Sequence, residues 1–168
     1  MTKPKKTLII FLINAAMLTV LILFHYSGAS ISIGSANPMA ALALVVAIIM
    51  FSGEIPGVLT GISLGVILDS VASTPIGFNT VTLTVISFAA ALISHYLFNR
   101  NIKAALTLCL LCASAYFVAR WLVGFAFAGD IKNSFKYLIR YAAPSALYTT
   151  LFMVPFFYIE RRLFKGRN

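Results

Sequence analysis

The chain has 168 residues, of which 61% are hydrophobic and 10% are charged, and its mean hydropathy is +0.97. A soluble domain is about half apolar and could not bury this much apolar surface, so the composition excludes a water-soluble fold and indicates one compact transmembrane domain over residues 1–168. The net charge of +9 does not indicate nucleic-acid binding, because the basic residues are scattered at the ends of apolar segments, where they typically set topology and contact anionic lipids.

The first apolar run covers residues 8–24 and follows three lysines, Lys3, Lys5 and Lys6. A signal peptide has an apolar region of about 7–15 residues. This run is longer, and further apolar segments follow it, so it predicts an uncleaved membrane span. An uncharged loop rich in serine and glycine follows at 25–37, and Pro38 then opens a second apolar stretch that ends at Phe51.

The third segment contains glycines at four-residue intervals that lead to an acid: Gly53, Gly57, Gly61, Gly65 and Asp69. On an α-helix these positions form a strip without side chains, and such strips allow close helix–helix approach in lipid. The strip rotates by about 40° per step, because a helix has about 3.6 residues per turn, so its members need not face one helix. Packing within the chain is the favoured interpretation and a partner-binding face is the alternative.

A turn signal at 73–77 follows, and three more spans are predicted, at about 78–98, 104–127 and 141–158. The sequence therefore predicts an all-α polytopic membrane protein with about six helices in one bundle. Polar stretches separate the later spans at 99–103 and 129–136, and a basic tail from Glu160 closes the chain.

The positive-inside rule orients this bundle. With six spans, one side holds both termini, the Glu54 turn and the 99–103 loop, and it carries most of the Lys and Arg residues. Both termini are therefore predicted to be cytoplasmic, in the bacterial inner membrane. A re-entrant second segment would leave an odd number of crossings and place the termini on opposite sides.

Two charges are predicted at membrane depth, Asp69 in the third span and Arg120 in the fifth. Charges there are costly and are usually paired or face protein or water. Both fall in the outer half of the predicted topology, so an intramembrane charge pair is one interpretation. In the other, Asp69 caps a helix end at the interface and Arg120 extends outward to it.

No nucleophile with a base and an oxyanion hole, no paired acids and no phosphate loop can be assembled from the sequence. Cys109 and Cys112 lie in an apolar run, and His25 and His95 are isolated in other segments, which argues against a zinc site. We therefore expect no enzymatic activity, no cofactor and no metal.

Several motifs resemble the rod shape-determining protein MreD family. They are Met50-Phe51-Ser52-Gly53-Glu54, the glycine series that ends at Asp69, Ile76-Gly77-Phe78-Asn79-Thr80, and Pro144-Ser145-Ala146-Leu147-Tyr148 with Pro155 before a basic tail. Together with the glycine periodicity, these motifs make five glycines candidates for helix packing or a partner interface, namely Gly53, Gly57, Gly61, Gly65 and Gly77.

The resemblance implies a non-enzymatic component of the bacterial elongation complex that supports cell shape and lateral peptidoglycan synthesis. Its implied partners are an MreC-like bitopic protein, MreB filaments and peptidoglycan synthases. The family's helix arrangement is also similar to that of the substrate-capture subunits of energy-coupling-factor transporters, so a vitamin-binding membrane subunit is the alternative. Those subunits carry an Ala-xxx-Ala motif on the first helix, whereas here Ala43-xxx-Ala47 lies on the second.

Overall fold

The computed structural model describes residues 3–26, 39–71, 77–97, 101–128, 140 and 142–165. Within these ranges the chain forms six α-helices and no strand, as the composition predicts. They are α1 (Lys3–Tyr26), α2 (Ala40–Ser52), α3 (Glu54–Val71), α4 (Phe78–Leu97), α5 (Ile102–Ala128) and α6 (Ala143–Lys165). The predicted loops at 25–37 and 129–136 and the turn at 73–77 lie largely outside the described residues.

Three helices are long and apolar enough to cross a membrane, through Glu54–Val71 of α3, Phe78–Tyr96 of α4 and Ile102–Gly124 of α5, among the residues described. Shorter apolar stretches are Ile9–Leu23 in α1 and Ala40–Ser52 in α2. The helix α6 differs from the sequence prediction, because it continues to Lys165 and includes residues that the sequence placed in a basic tail.

The short helix α2 forms the centre of the bundle. Its residues 41–51 are all buried, and it packs against α1, α3, α4, α5 and α6. A helix that is hydrophobic on all sides is stable only when other elements surround it. At about 1.5 Å per residue it is about 20 Å long, which is shorter than a bilayer core of about 30 Å.

The most extensive helix–helix contact joins α3 and α4, which form an antiparallel hairpin. Its contacts run in reverse order along the two helices: Gly61 faces Ser87, and Gly65 faces Thr80. Gly57, one turn earlier, faces Ile49 of α2 instead. The glycine strip thus changes partner along its length, because four-residue spacing rotates it around the helix.

The close approach at these glycines leaves no room for a side chain. A Cβ on Gly57 would lie 2.9 Å from the Cα of Ile49, and a Cβ on Gly65 would lie 2.5 Å from the Cα of Thr80. Ordinary carbon–carbon contacts are about 3.5–4.0 Å. All three of these glycines, Gly57, Gly61 and Gly65, are buried within the hairpin and against α2.

Gly53 and Gly77 have a different role from the one expected for packing positions. Nothing lies within 4 Å of a Cβ added to either residue, but their φ angles are +102° and +87°. L side chains rarely adopt these angles, so glycine is required by the backbone and not by a neighbouring helix. Each residue accepts the first backbone hydrogen bond of the helix that follows, from Gly57 and Val81 respectively.

The contact at Gly61 can be tested by adding a side chain at this position of α3 and removing the opposing side chain of Ser87 on α4. An added Cβ on Gly61 would meet the hydroxyl and, at 2.7 Å, the Cβ of Ser87, whereas the next atom, the carbonyl oxygen of Leu83, is 3.5 Å away. We expect Gly61→Ala to lower the free energy of unfolding by about 1–3 kcal/mol. Adding Ser87→Gly removes both obstructing atoms and should restore most of that loss.

The measurement is a double-mutant cycle of equilibrium unfolding in detergent micelles. Ser87→Gly by itself should cost about 0.5 kcal/mol from helix propensity, so the two changes should show a favourable coupling of about 1 kcal/mol or more. Additive losses in the double variant would contradict the packing described here.

Candidate functional site at the α3–α4 junction

The carboxylate of Asp69 lies at the amino-terminal end of α4. It belongs to the last turn of α3 and is partly buried. One oxygen accepts a hydrogen bond from the backbone N–H of Asn79 at 2.9 Å. The other accepts from the backbone N–H of Thr80 at 2.8 Å and from its hydroxyl at 2.6 Å.

These bonds replace a cap that α4 lacks in its own sequence. Gly77 is the N-cap residue, since its carbonyl accepts from the N–H of Val81. An N-cap side chain normally accepts from the second and third helical N–H groups, but glycine has none to offer. Asn79 and Thr80 occupy those two positions, and the carboxylate of α3 satisfies both. Its negative charge also lies at the positive end of the α4 dipole.

Gly65 allows this cap to form. It lies one turn before Asp69 on α3, and the backbone of Thr80 packs directly on it. A side chain at Gly65 would hold the start of α4 away from α3 and out of reach of the carboxylate. The glycine strip and the acid that ends it therefore form a single structural unit.

A buried hydrogen bond extends this unit to α5. The Tyr116 hydroxyl donates to Oδ1 of Asn79 at 2.9 Å, and both residues are 2% exposed. Buried polar groups are usually hydrogen-bonded, since an unsatisfied one costs about 1–3 kcal/mol. The network Asp69–Thr80–Asn79–Tyr116, which we call the junction network, thus fixes the relative positions of α3, α4 and α5.

The structure does not bring Asp69 and Arg120 together. Asp69 directs both oxygens at α4, while Arg120 is exposed on α5, and no ion pair joins these two described residues. The physical reason is that the first turn of α4 already supplies three donors to the carboxylate. The second interpretation of Asp69, as a helix cap, describes its contacts, but the helix that it caps is the next one.

The opposite end of the hairpin has a contact between an imidazole and a carboxylate that sequence reasoning missed. Nδ1 of His95 lies 2.6 Å from Oε1 of Glu54, and both side chains are about half exposed. Because α3 and α4 are antiparallel, the start of one meets the end of the other. A surface pair of this kind contributes about 0–1 kcal/mol.

The same end of the hairpin has an open groove of about 600 Å³. It lies between the α2–α3 turn and the end of α4, and its polar lining consists of Ser52, Glu54, Ser94 and His95. Among the described residues, no group of three or more His, Cys, Asp or Glu side chains could hold a metal ion. Cys109 and Cys112 are free and buried in the core.

Comparison with known proteins matches the chain to a family model. The model, described as rod shape-determining protein MreD, matches residues 5–166. No match was found among curated proteins or among solved structures. The matched region includes the glycine strip, the junction network and α6, and it extends over nearly the whole chain. The protein therefore belongs to the MreD family of rod shape-determining membrane proteins.

Proposed function

We propose that this chain is a non-enzymatic, integral component of the bacterial cell-elongation complex and that it supports lateral peptidoglycan synthesis through protein–protein contacts in the inner membrane. Family membership supports the link to rod shape. The observation that carries the contact mechanism is the α3–α4 hairpin, whose glycines and Asp69 are used in internal packing while its outward side is apolar. Such a hairpin is a rigid surface suited to lateral contacts in lipid.

The outward side of the hairpin, which we call the hairpin face, consists of large exposed side chains on both helices. They are Leu59 and Val66 on α3 and Val81, Val85 and Phe88 on α4, each about half exposed or more. An exposed apolar surface of this kind requires lipid or a partner helix to cover it. In the proposed arrangement, an MreC-like bitopic protein packs its single span here.

The topology proposed for this function has both termini in the cytoplasm. The basic residues at the cytoplasmic segment ends would contact anionic lipids. The same side would be available to MreB filaments, and the outer side to peptidoglycan synthases. Six crossings would require α1, α2 and α6 to cross with the help of neighbouring helices, in addition to the three long apolar helices.

The test is depletion of the protein in a rod-shaped host, followed by complementation. The wild-type chain should restore the ratio of cell length to width, with no change in vitamin uptake. In a Cys109→Ala/Cys112→Ala background, Leu59→Cys should crosslink to a bitopic partner, because Leu59 is 54% exposed. Leu64→Cys is the matched control on the same helix, since Leu64 is 0% exposed. Normal shape after depletion, or equal crosslinking at both positions, would contradict the proposal.

A second candidate is a small-molecule-binding subunit, for which the groove of about 600 Å³ is the observation in favour. Ligand pockets commonly have volumes of about 300–1,000 Å³. In the proposed topology, however, the α2–α3 turn faces the cytoplasm, whereas a substrate-capture subunit must accept its ligand from outside. Defective vitamin uptake with normal cell shape after depletion would favour this second candidate.

A further inference from the structure

Among the described residues, buried side-chain oxygens of Asn14, Ser87 and Glu160 lack hydrogen-bond partners, and two of these residues, Asn14 and Glu160, lie close together. Asn14 of α1 is 4% exposed and Glu160 of α6 is 0% exposed. No group within the described ranges makes a hydrogen bond of acceptable geometry with Oδ1 of Asn14 or with either carboxylate oxygen of Glu160. The Asn14 side chain is nevertheless close enough to Glu160 to influence its ionisation by hydrogen bonding.

All three of these oxygens on Asn14 and Glu160 are acceptors, so the missing group is a hydrogen-bond donor. An ionised carboxylate cannot donate to the amide oxygen, and a buried charge without a partner is strongly unfavourable. One proton removes both problems. A neutral carboxyl can donate its O–H to Asn14 Oδ1 while its other oxygen accepts an N–H from the same amide.

Among the side chains that the structure describes, no charged group takes the place of that proton. The described side chains of α1, residues 9–23, include no ionisable group, and neither does α2. On α5, the cations Lys103 and Arg120 are exposed, and the other ionisable groups are Cys109, Cys112 and Tyr116. On α6 itself, Arg161 and Arg162 are exposed, as is Tyr158, while Tyr148 lies three turns away. None of these groups contributes to the ionisation of Glu160.

We propose that Glu160 and Asn14 form a proton-binding site, in which the neutral carboxyl of Glu160 and the amide of Asn14 exchange a pair of hydrogen bonds. The bound proton joins α1 to α6. Loss of the proton leaves a buried carboxylate between the two helices and favours their separation. Attachment of the first helix to the bundle is therefore linked to pH.

The ionisation behaviour of Glu160 agrees with this geometry. Glu160 follows the last predicted span, and burial raises the pKa of its carboxyl from 4.5 to about 7, against a smaller lowering by the nearby Asn14 side chain. Between these values the folded chain holds a proton that the unfolded chain has lost. The free energy of unfolding should thus fall as the pH rises from about 4.5 to about 7, and should level off above that.

Infrared spectroscopy of the full chain in lipid nanodiscs detects the proton directly. The sequence has only four Asp and Glu residues, so few carboxyl groups can absorb. At about pH 6, where ordinary carboxyls are ionised, the wild-type chain should show the carbonyl band of a protonated carboxyl. Glu160→Gln should abolish it, Glu54→Gln should leave it, and Asn14→Leu should shift it to higher frequency. No band in the wild-type chain would overturn the proposal even if the variants fail to fold.

Thermal unfolding against pH gives a second, independent result. The wild-type Tm should fall by about 5–10 °C between about pH 5 and about pH 8. Glu160→Gln should remove this decline and unfold at a higher temperature than the wild-type chain at about pH 8. A flat wild-type profile would overturn the proposal. So would a wild-type Tm that rises with added sodium at high pH, because a cation and not a proton would then occupy the site.

Discussion

Replacing Gly65 with alanine is expected to lower the free energy of unfolding by about 3 kcal/mol or more, a loss that few substitutions by a single methyl group produce. The three atoms nearest to the added Cβ are all backbone atoms of α4. They are the Cα of Thr80 at 2.5 Å, the carbonyl oxygen of Asn79 at 2.9 Å and the N of Thr80 at 3.0 Å. None of them can rotate away as a side chain could, so the two helices must separate by about 1 Å to reach ordinary contact distances.

Separation of the two helices would also weaken the hydrogen bonds of the Asp69 carboxylate. Its three hydrogen bonds, which involve Asn79 and Thr80, have lengths of 2.6–2.9 Å, and hydrogen bonds weaken as the donor and acceptor move apart. Bonds to a charged group contribute about 1.5–3 kcal/mol each. The added methyl group therefore removes helix packing and helix capping together, which is why the expected loss exceeds that of ordinary overpacking.

Gly124 on α5 provides the matched control. It also lies in a helix, but it is exposed and nothing lies within 4 Å of an added Cβ. Gly124→Ala should leave stability unchanged or raise it by up to about 1 kcal/mol through helix propensity. Equilibrium unfolding in mixed micelles compares the two variants directly. Equal effects at Gly65 and Gly124 would mean that α3 and α4 are not in backbone contact.

Removal of the Asp69 carboxylate is expected to have the second large effect. Asp69→Ala should lower the free energy of unfolding by about 2–4 kcal/mol, because it leaves the N–H groups of Asn79 and Thr80 without their acceptor. Thr80→Val keeps the backbone donor and removes only the hydroxyl bond, so it should cost about 1 kcal/mol. Equilibrium unfolding in mixed micelles measures the losses in Asp69→Ala and Thr80→Val, which should differ in this order.

Variants of Arg120 distinguish helix capping by Asp69 from a charge pair between Asp69 and Arg120. Because Arg120 is exposed and makes no ion pair with Asp69, Arg120→Gln should change stability by no more than about 0.5 kcal/mol. Combining Asp69→Arg with Arg120→Asp should fail to restore the stability that Asp69→Arg loses, since an arginine cannot accept from the N–H groups of α4. Rescue by the exchange would show that the two charges are paired in the membrane.

Cell-shape complementation connects these stability changes to the proposed role. If the chain acts through the hairpin face, the rigidity of the hairpin should matter as much as its exposed residues. Gly65→Ala and Asp69→Ala should then restore rod shape poorly, whereas Gly124→Ala and Arg120→Gln should restore it as well as the wild-type chain does. The comparison should be made at equal amounts of membrane-inserted protein.

Local periodicity and composition are enough to predict several features of this protein. The helical class follows from the apolar runs, and the rotation of the glycine strip follows from four-residue spacing on a helix with about 3.6 residues per turn. The change of neighbour from Ile49 at Gly57 to Thr80 at Gly65 is the result of that rotation. The motif from Ile76 to Thr80 indicates the family resemblance, but its pattern does not predict which hydrogen-bond donors it presents to Asp69.

The packing of the helices against one another determines which side chains come into contact. Depth along its helix allows Asp69 either to pair with Arg120 or to cap a helix end. Its contacts with Asn79 and Thr80 depend on how closely Gly65 lets α4 approach. Glu160 opens the basic tail of the sequence, yet it is fully buried because α6 continues past Tyr158 and α1 contributes Asn14. Periodicity describes one helix at a time, whereas burial and hydrogen bonding depend on distances between helices that are far apart in the chain.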